Sequence, residues 1–168
     1  MLRSRFLPHS RLTLWVGWGL FVGAFFLPAF QDPRGSTLPG YSCAWIAVTF
    51  WAPDRWVALI RDAQDPSTWA NFTVGWFNVS NLLCAMAPAV ELFPAVRRYR
   101  GLIALGCALG VAQAIALVSG VIGGEPLWSQ SLPGFWIWCL GYGVVGLSVW
   151  GVGRVSPEAK VLGILTNL

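Results

Sequence analysis

Glu91 is the one acidic side chain inside an apolar run of this 168-residue sequence, and an ionisable group there is the first place to look for chemistry. A carboxylate in such a run can serve as a proton or cation site. The plainer reading is a snorkelling carboxylate near the end of its segment, paired with Arg97 or Arg98. Upstream, Asn78 and Asn81 stand three residues apart and so share a helical face. Carboxamides at that spacing suit a polar ligand or ion pathway, or they bond to a neighbouring helix, with Gln113 as the expected partner.

Enzyme chemistry finds little else to use. His9 is the sole histidine and lies on a tail expected in the cytoplasm, so no Ser-His-Asp set, zinc cluster or haem pair is expected. No aspartate falls within an apolar run, which argues against an intramembrane aspartyl protease. Cys43, Cys84, Cys107 and Cys139 are scattered and form no CxxC pair, so neither a disulfide framework nor a redox pair is expected. They read as small hydrophobes. No metal, no cofactor and no catalytic residue set is therefore assigned. The net charge of +4 and pI of about 9.2 come from bases clustered beside apolar runs, not from a basic face, so nucleic acid is not an expected partner.

Positioning these residues takes apolar helices. The chain is 56% hydrophobic and 11% charged, whereas a soluble domain carries about a quarter charged residues. Its charges separate apolar runs of membrane-crossing length, and in hydrocarbon such runs must be helical to pair their own backbone groups. The sequence predicts an all-α membrane protein with four transmembrane helices, at about 12–30, 72–93, 101–122 and 134–153, in a single transmembrane domain. The first run is longer than the roughly 7–15 residues of a signal core, and no A-x-A site precedes Gln31, so it reads as a retained span. Residues 31–40 read as a loop. The stretch 41–64 is apolar and rich in tryptophan, but Pro53-Asp54-Arg55 interrupts it. It predicts an outer interfacial helix, or a short re-entrant element, between spans one and two. Ser156-Pro157-Glu158 has the residue types of a helix start, and the tail 154–168 is expected to rest on the cytoplasmic face.

Arginine placement orients the spans. With both ends in the cytoplasm, eight bases (Arg3, Arg5, Arg11, Arg97, Arg98, Arg100, Arg154, Lys160) lie inside and three outside. A fifth span would reverse that bias, so four spans fit the positive-inside rule. Trp45, Trp51, Trp56, Trp69, Trp76, Trp128, Trp136 and Trp138 then gather near the outer interface as anchors, where a lipid, a pigment or quinone headgroup, or another subunit could sit. Gly19 and Gly23, and Gly106, Gly110 and Ala114, place small residues four apart for close helix packing.

Leu38-Pro39-Gly40-Tyr41, Trp69-Ala70-Asn71, the Arg97–Arg100 turn and Gly134-Phe135-Trp136-Ile137-Trp138 resemble, in layout, a broad group of small uncharacterised four-helix bacterial membrane proteins. The resemblance implies a four-helix bundle in the bacterial cytoplasmic membrane and brings no activity or site residues. The residues themselves predict a non-catalytic accessory or assembly subunit that packs against membrane lipids, a second copy or a larger membrane complex. The alternative is a small oligomeric transporter or channel using Glu91 and the Asn78/Asn81 face.

Overall fold

The computed structural model describes the backbone of residues 7–31, 35–49, 52–54, 57, 61, 66–121 and 126–151, and the side chains of all these except 7–10 and 66–74. Among them the protein is mostly helical. Helix α1 (Leu7–Ala24) leads into a hairpin of β1 (Pro28–Gln31) and β2 (Thr37–Pro39). Then follow α2 (Gly40–Thr49), α3 (Pro66–Ala85), the one-turn α4 (Ala89–Leu92), α5 (Arg100–Val118) and α6 (Pro133–Gly151). Short 3-10 turns, Pro94–Tyr99 and Trp128–Gln130, precede α5 and α6.

Prolines decide where two of the apolar runs stop being helical. The helix expected over about 12–30 ends at Ala24, because Pro28 lacks an N–H and its ring would clash with the Ala24 carbonyl. That carbonyl instead accepts from Leu27 N at 3.2 Å, and the chain turns into an antiparallel pair in which Phe30 opposes Leu38 and Gln31 opposes Thr37. The expected loop over 31–40 is therefore partly strand. The helix expected over about 72–93 is also broken, with Pro88 capping α4. Ala87 N reaches back to Cys84 O at 3.1 Å and Ala89 N to Met86 O at 2.9 Å. The freed Ala85 carbonyl accepts the indole N–H of Trp18 at 3.1 Å.

The hairpin ties one end of the bundle together. Gly40 N bonds Leu27 O at 3.0 Å, Tyr41 N bonds Phe25 O at 2.8 Å, and Leu132 N bonds Ala29 O at 2.9 Å. A Cβ at Gly40 would lie 2.6 Å from Ala24 O, and one at Gly134 would lie 2.5 Å from Pro28 O, so both helix starts need glycine to sit this close. At the end of α5, Gly120 adopts φ +79°, the left-handed turn that stops a helix.

Around the bundle, α1 packs chiefly on α6, α6 on α5, and α5 on α3, while α1 and α3 meet sparsely. The main core joins Leu14 and Phe21 of α1, Cys84 of α3, Cys107 of α5, and Tyr142 and Val145 of α6. A second cluster of Ala29, Phe77, Ala114, Val118 and Phe135 fills the hairpin end. Among the described residues, two helices are long and apolar enough to cross a membrane: the continuous stretch Pro94–Val118 and Pro133–Gly151. α1 and α3 are of similar length, but Arg11 and Thr13 in one, and Asn78, Ser80 and Asn81 in the other, lower their apolarity.

The region expected as an interfacial helix over 41–64 begins as α2, and residues 53, 54, 57 and 61 are helical as well. Trp51 and Trp56 and the tail 154–168 lie outside the described residues. Trp69 belongs to α3 by its backbone, and its side chain lies outside the description.

Candidate functional site

Asn81 is the polar centre of the bundle. Its Oδ1 accepts from Trp138 Nε1 at 3.2 Å and from Tyr142 Oη at 2.7 Å. An indole N–H can only donate, so the atom it meets must be oxygen, and this fixes which way the Asn81 carboxamide points. Trp138 and Tyr142 stand one turn apart on α6 with rings edge to face at 4.8 Å, and Tyr142 is fully buried. With both lone pairs of its oxygen occupied, Asn81 has only its N–H₂ group to offer a further partner.

The neighbouring polar groups divide differently from the sequence expectation. Gln113 pairs with neither asparagine; its Oε1 accepts from Ser80 Oγ at 3.4 Å. Ser80 precedes Asn81 by one residue, about 100° around the helix, and so faces α5 while Asn81 faces α6. Asn78 Nδ2 is buried and has no hydrogen-bond partner among the described residues. Among the described residues it is the one buried side-chain polar atom left in that state, and such a group costs free energy until it is paired.

Two spaces meet at this face of α3. A chamber of about 100 Å³ lies under the hairpin and is lined by Phe30, Cys43, Phe77, Asn81, Phe135 and Trp138 among others. Burial raises the Cys43 thiol above its ordinary range, which keeps it neutral and unreactive. A wider groove of about 680 Å³ opens between α1 and α3, with Phe21, Val22 and Phe25 on one wall, Asn78, Asn81 and Leu82 on the other, and Val48 of α2 above. Its size is that of a small-molecule pocket, and its surface is almost wholly apolar.

Glu91 lies elsewhere. Its carboxylate, 9% exposed, bonds Arg11 Nε at 2.8 Å, so its partner is a base on α1 and neither Arg97 nor Arg98. The reason is the extended Phe93 (φ −123°, ψ 111°), which ends the helix before the arginines can share its face. Arg97 Nε then donates to Val90 O at 3.3 Å, and the Arg98 guanidinium lies over the Tyr99 ring at 4.7 Å.

The glycines also separate. Cβ atoms at Gly106 and Gly110 would meet Leu83 Cδ1 at 2.4 Å and Tyr142 Cε1 at 2.9 Å, and Ala114 is buried in the second cluster. Gly19 and Gly23 face open space, so the packing expected of them does not occur within the described chain. Close approach of α1 relies on Gly17, against Val144 of α6, and on Gly141, against Phe21. Neither glycine stands out by spacing, and only the fold reveals them.

Of the tryptophans expected as anchors, Trp45, Trp76, Trp128 and Trp136 are exposed. Trp136 Nε1 donates to Ser131 Oγ at 3.2 Å, and its ring stacks on that of Trp128 at 5.6 Å. Trp138 is half-buried and turned into the bundle, where it serves Asn81. Its i,i+4 spacing to Tyr142 was the signal available in the sequence. No protein-family model matches the chain, no curated protein matches it, and no solved structure matches it.

Proposed function

We propose that the chain is an integral membrane protein that crosses the bilayer four times, through α1, α3 with α4, α5 and α6, with both ends in the cytoplasm. It serves as a non-catalytic accessory or assembly subunit, packing against lipids or within a larger membrane complex. The observation that carries this reading is exposure. In the most apolar windows of α5 and α6 only 39% and 44% is buried. Leu105, Leu109, Ile115, Leu140 and Leu147 all stand on the outside, with Leu147 76% exposed. Helices this apolar leave their sides bare when lipid tails are the solvent.

The polar side chains support a structural role. Asn81, Tyr142 and Trp138 engage one another, Ser80 engages Gln113, and Glu91 engages Arg11. A transport path using Glu91 together with Asn78 and Asn81 has to join groups about 15 Å or more apart along the helix axis, at 1.5 Å per residue. The bare face of α1 around Gly19 and Gly23 offers close approach to another helix.

Three measurements test the reading. The protein should stay with membranes through alkaline carbonate washing, and tags on its two ends should report the same compartment. Native mass in mild detergent should reveal a heteromeric particle. A pure homo-oligomer whose ion flux disappears in Glu91→Gln would replace this reading with the channel.

A further inference from the structure

The groove between α1 and α3 is apolar throughout except for the carboxamides of Asn78 and Asn81. Asn81 is locked with its oxygen toward Trp138 and Tyr142, so what it turns to the groove and chamber is N–H₂. Asn78, one turn along the same face, carries the unpaired Nδ2. A swing about its soft terminal torsion brings that group to the groove. An occupant that offers acceptor oxygen on an otherwise hydrocarbon body satisfies both amides.

Depth narrows the choice. Asn81 is level with Trp138, five residues into α6 from Pro133, or about 7.5 Å at 1.5 Å per residue. Asn78 lies one turn nearer the hairpin end, where the exposed Trp128 and Trp136 stack. Indoles of that kind mark the membrane–water boundary. Both amides thus sit where the interfacial layer gives way to hydrocarbon. The groove is open on its side, toward the surface that lipid tails would cover.

We propose that this groove binds one glycerophospholipid, with an acyl chain along Phe21, Val22, Phe25 and Leu82 and its ester carbonyl accepting from the Asn78 and Asn81 amides. The inference rests on the bilayer reading above and goes beyond it in naming a site and its ligand class.

The test compares diacyl phosphatidylglycerol with its dialkyl ether analogue, which lacks both ester carbonyls. Full-length protein in lipid-free detergent is titrated with each, and bound lipid is counted by native mass spectrometry. The ester lipid should bind about fivefold more tightly, the weight of one net hydrogen bond. Asn78→Leu should lower that ratio to what the Asn81 amide alone supplies, and Val48→Trp, which fills the groove from α2, should weaken both lipids alike. The melting midpoint in lipid-free detergent confirms that each variant is folded. If Asn78→Leu fails to fold, Val48→Trp carries the test through loss of the bound ester lipid. A ratio near one in the unmodified protein, a ratio that Asn78→Leu leaves unchanged, or ester-lipid binding unchanged by Val48→Trp overturns the proposal. So does a quinone retained in place of phospholipid. Release from membranes by carbonate would instead sink the bilayer reading itself, so the two failures are told apart.

Discussion

Helix α1 meets α6 and α3 in opposite ways. Against α6 it is sealed by glycine: a Cβ at Gly17 would lie 2.6 Å from Val144 Cγ1, and one at Gly141 would lie 2.7 Å from the backbone nitrogen of Phe21. Against α3 and the α4 turn that follows it, α1 is stitched by polar bonds at one end, Trp18 to the Ala85 carbonyl and Arg11 to Glu91, and open as a groove at the other. The sealed seam draws its strength from dispersion at close range, which has no slack. The stitched seam leaves a groove open beside it.

That contrast breaks hardest at Gly141. Gly141→Ala should cost about 3 kcal/mol or more, because the new methyl meets backbone and not a side chain that can move. Thermal unfolding in detergent should register it as a larger fall than Gly106→Ala, whose methyl meets only the Leu83 side chain. Next comes Asn81→Leu, which strands the Tyr142 hydroxyl and the Trp138 N–H together. The expected loss is about 2 kcal/mol, and Tyr142→Phe should lose about half as much. Equal losses from the two variants would show that Trp138 contributes nothing.

At the stitched end the two partners should be unequal. Arg11→Ala leaves a nearly buried carboxylate without its partner and should cost about 1–2 kcal/mol. Glu91→Gln leaves an arginine that is 60% exposed to find other partners, and should cost less than about 1 kcal/mol. Comparing the melting midpoints of the two variants, and then of the double variant, measures the coupling. The smallest effect is expected at Gly19→Ala. With nothing within 4 Å, the substitution should stabilise α1 by about 0.5 kcal/mol through helix propensity alone. A loss there, or dissociation of a purified complex, would show that a partner covers this face of α1.

Much of this was legible before the fold was known, but unevenly. Runs of apolar residues marked the helices, since hydrocarbon-length stretches need no tertiary partner to declare themselves. Helix ends were harder. Pro28 and Pro88 are visible in the sequence, yet whether proline bends a span or ends it depends on what donates to the freed carbonyls, and here Leu27 N and Trp18 Nε1 do. Partner choice was harder still. Polarity alone matches Gln113 to the asparagines, while a rotation of about 100° between Ser80 and Asn81 gives it to the serine. Trp138 was grouped with the interface indoles because type and position agreed with them, and only its neighbour Tyr142 hinted otherwise.

Composition and charge placement determined, without any coordinates, that the chain is built from apolar helices and that its arginines cluster at their ends. Those are additive properties of single residues in a solvent. The tertiary structure decided which glycines touch, which acid pairs with which base, and that two amides share a groove. These depend on helix rotation and on where proline stops each helix, and both are settled only when the segments pack against one another.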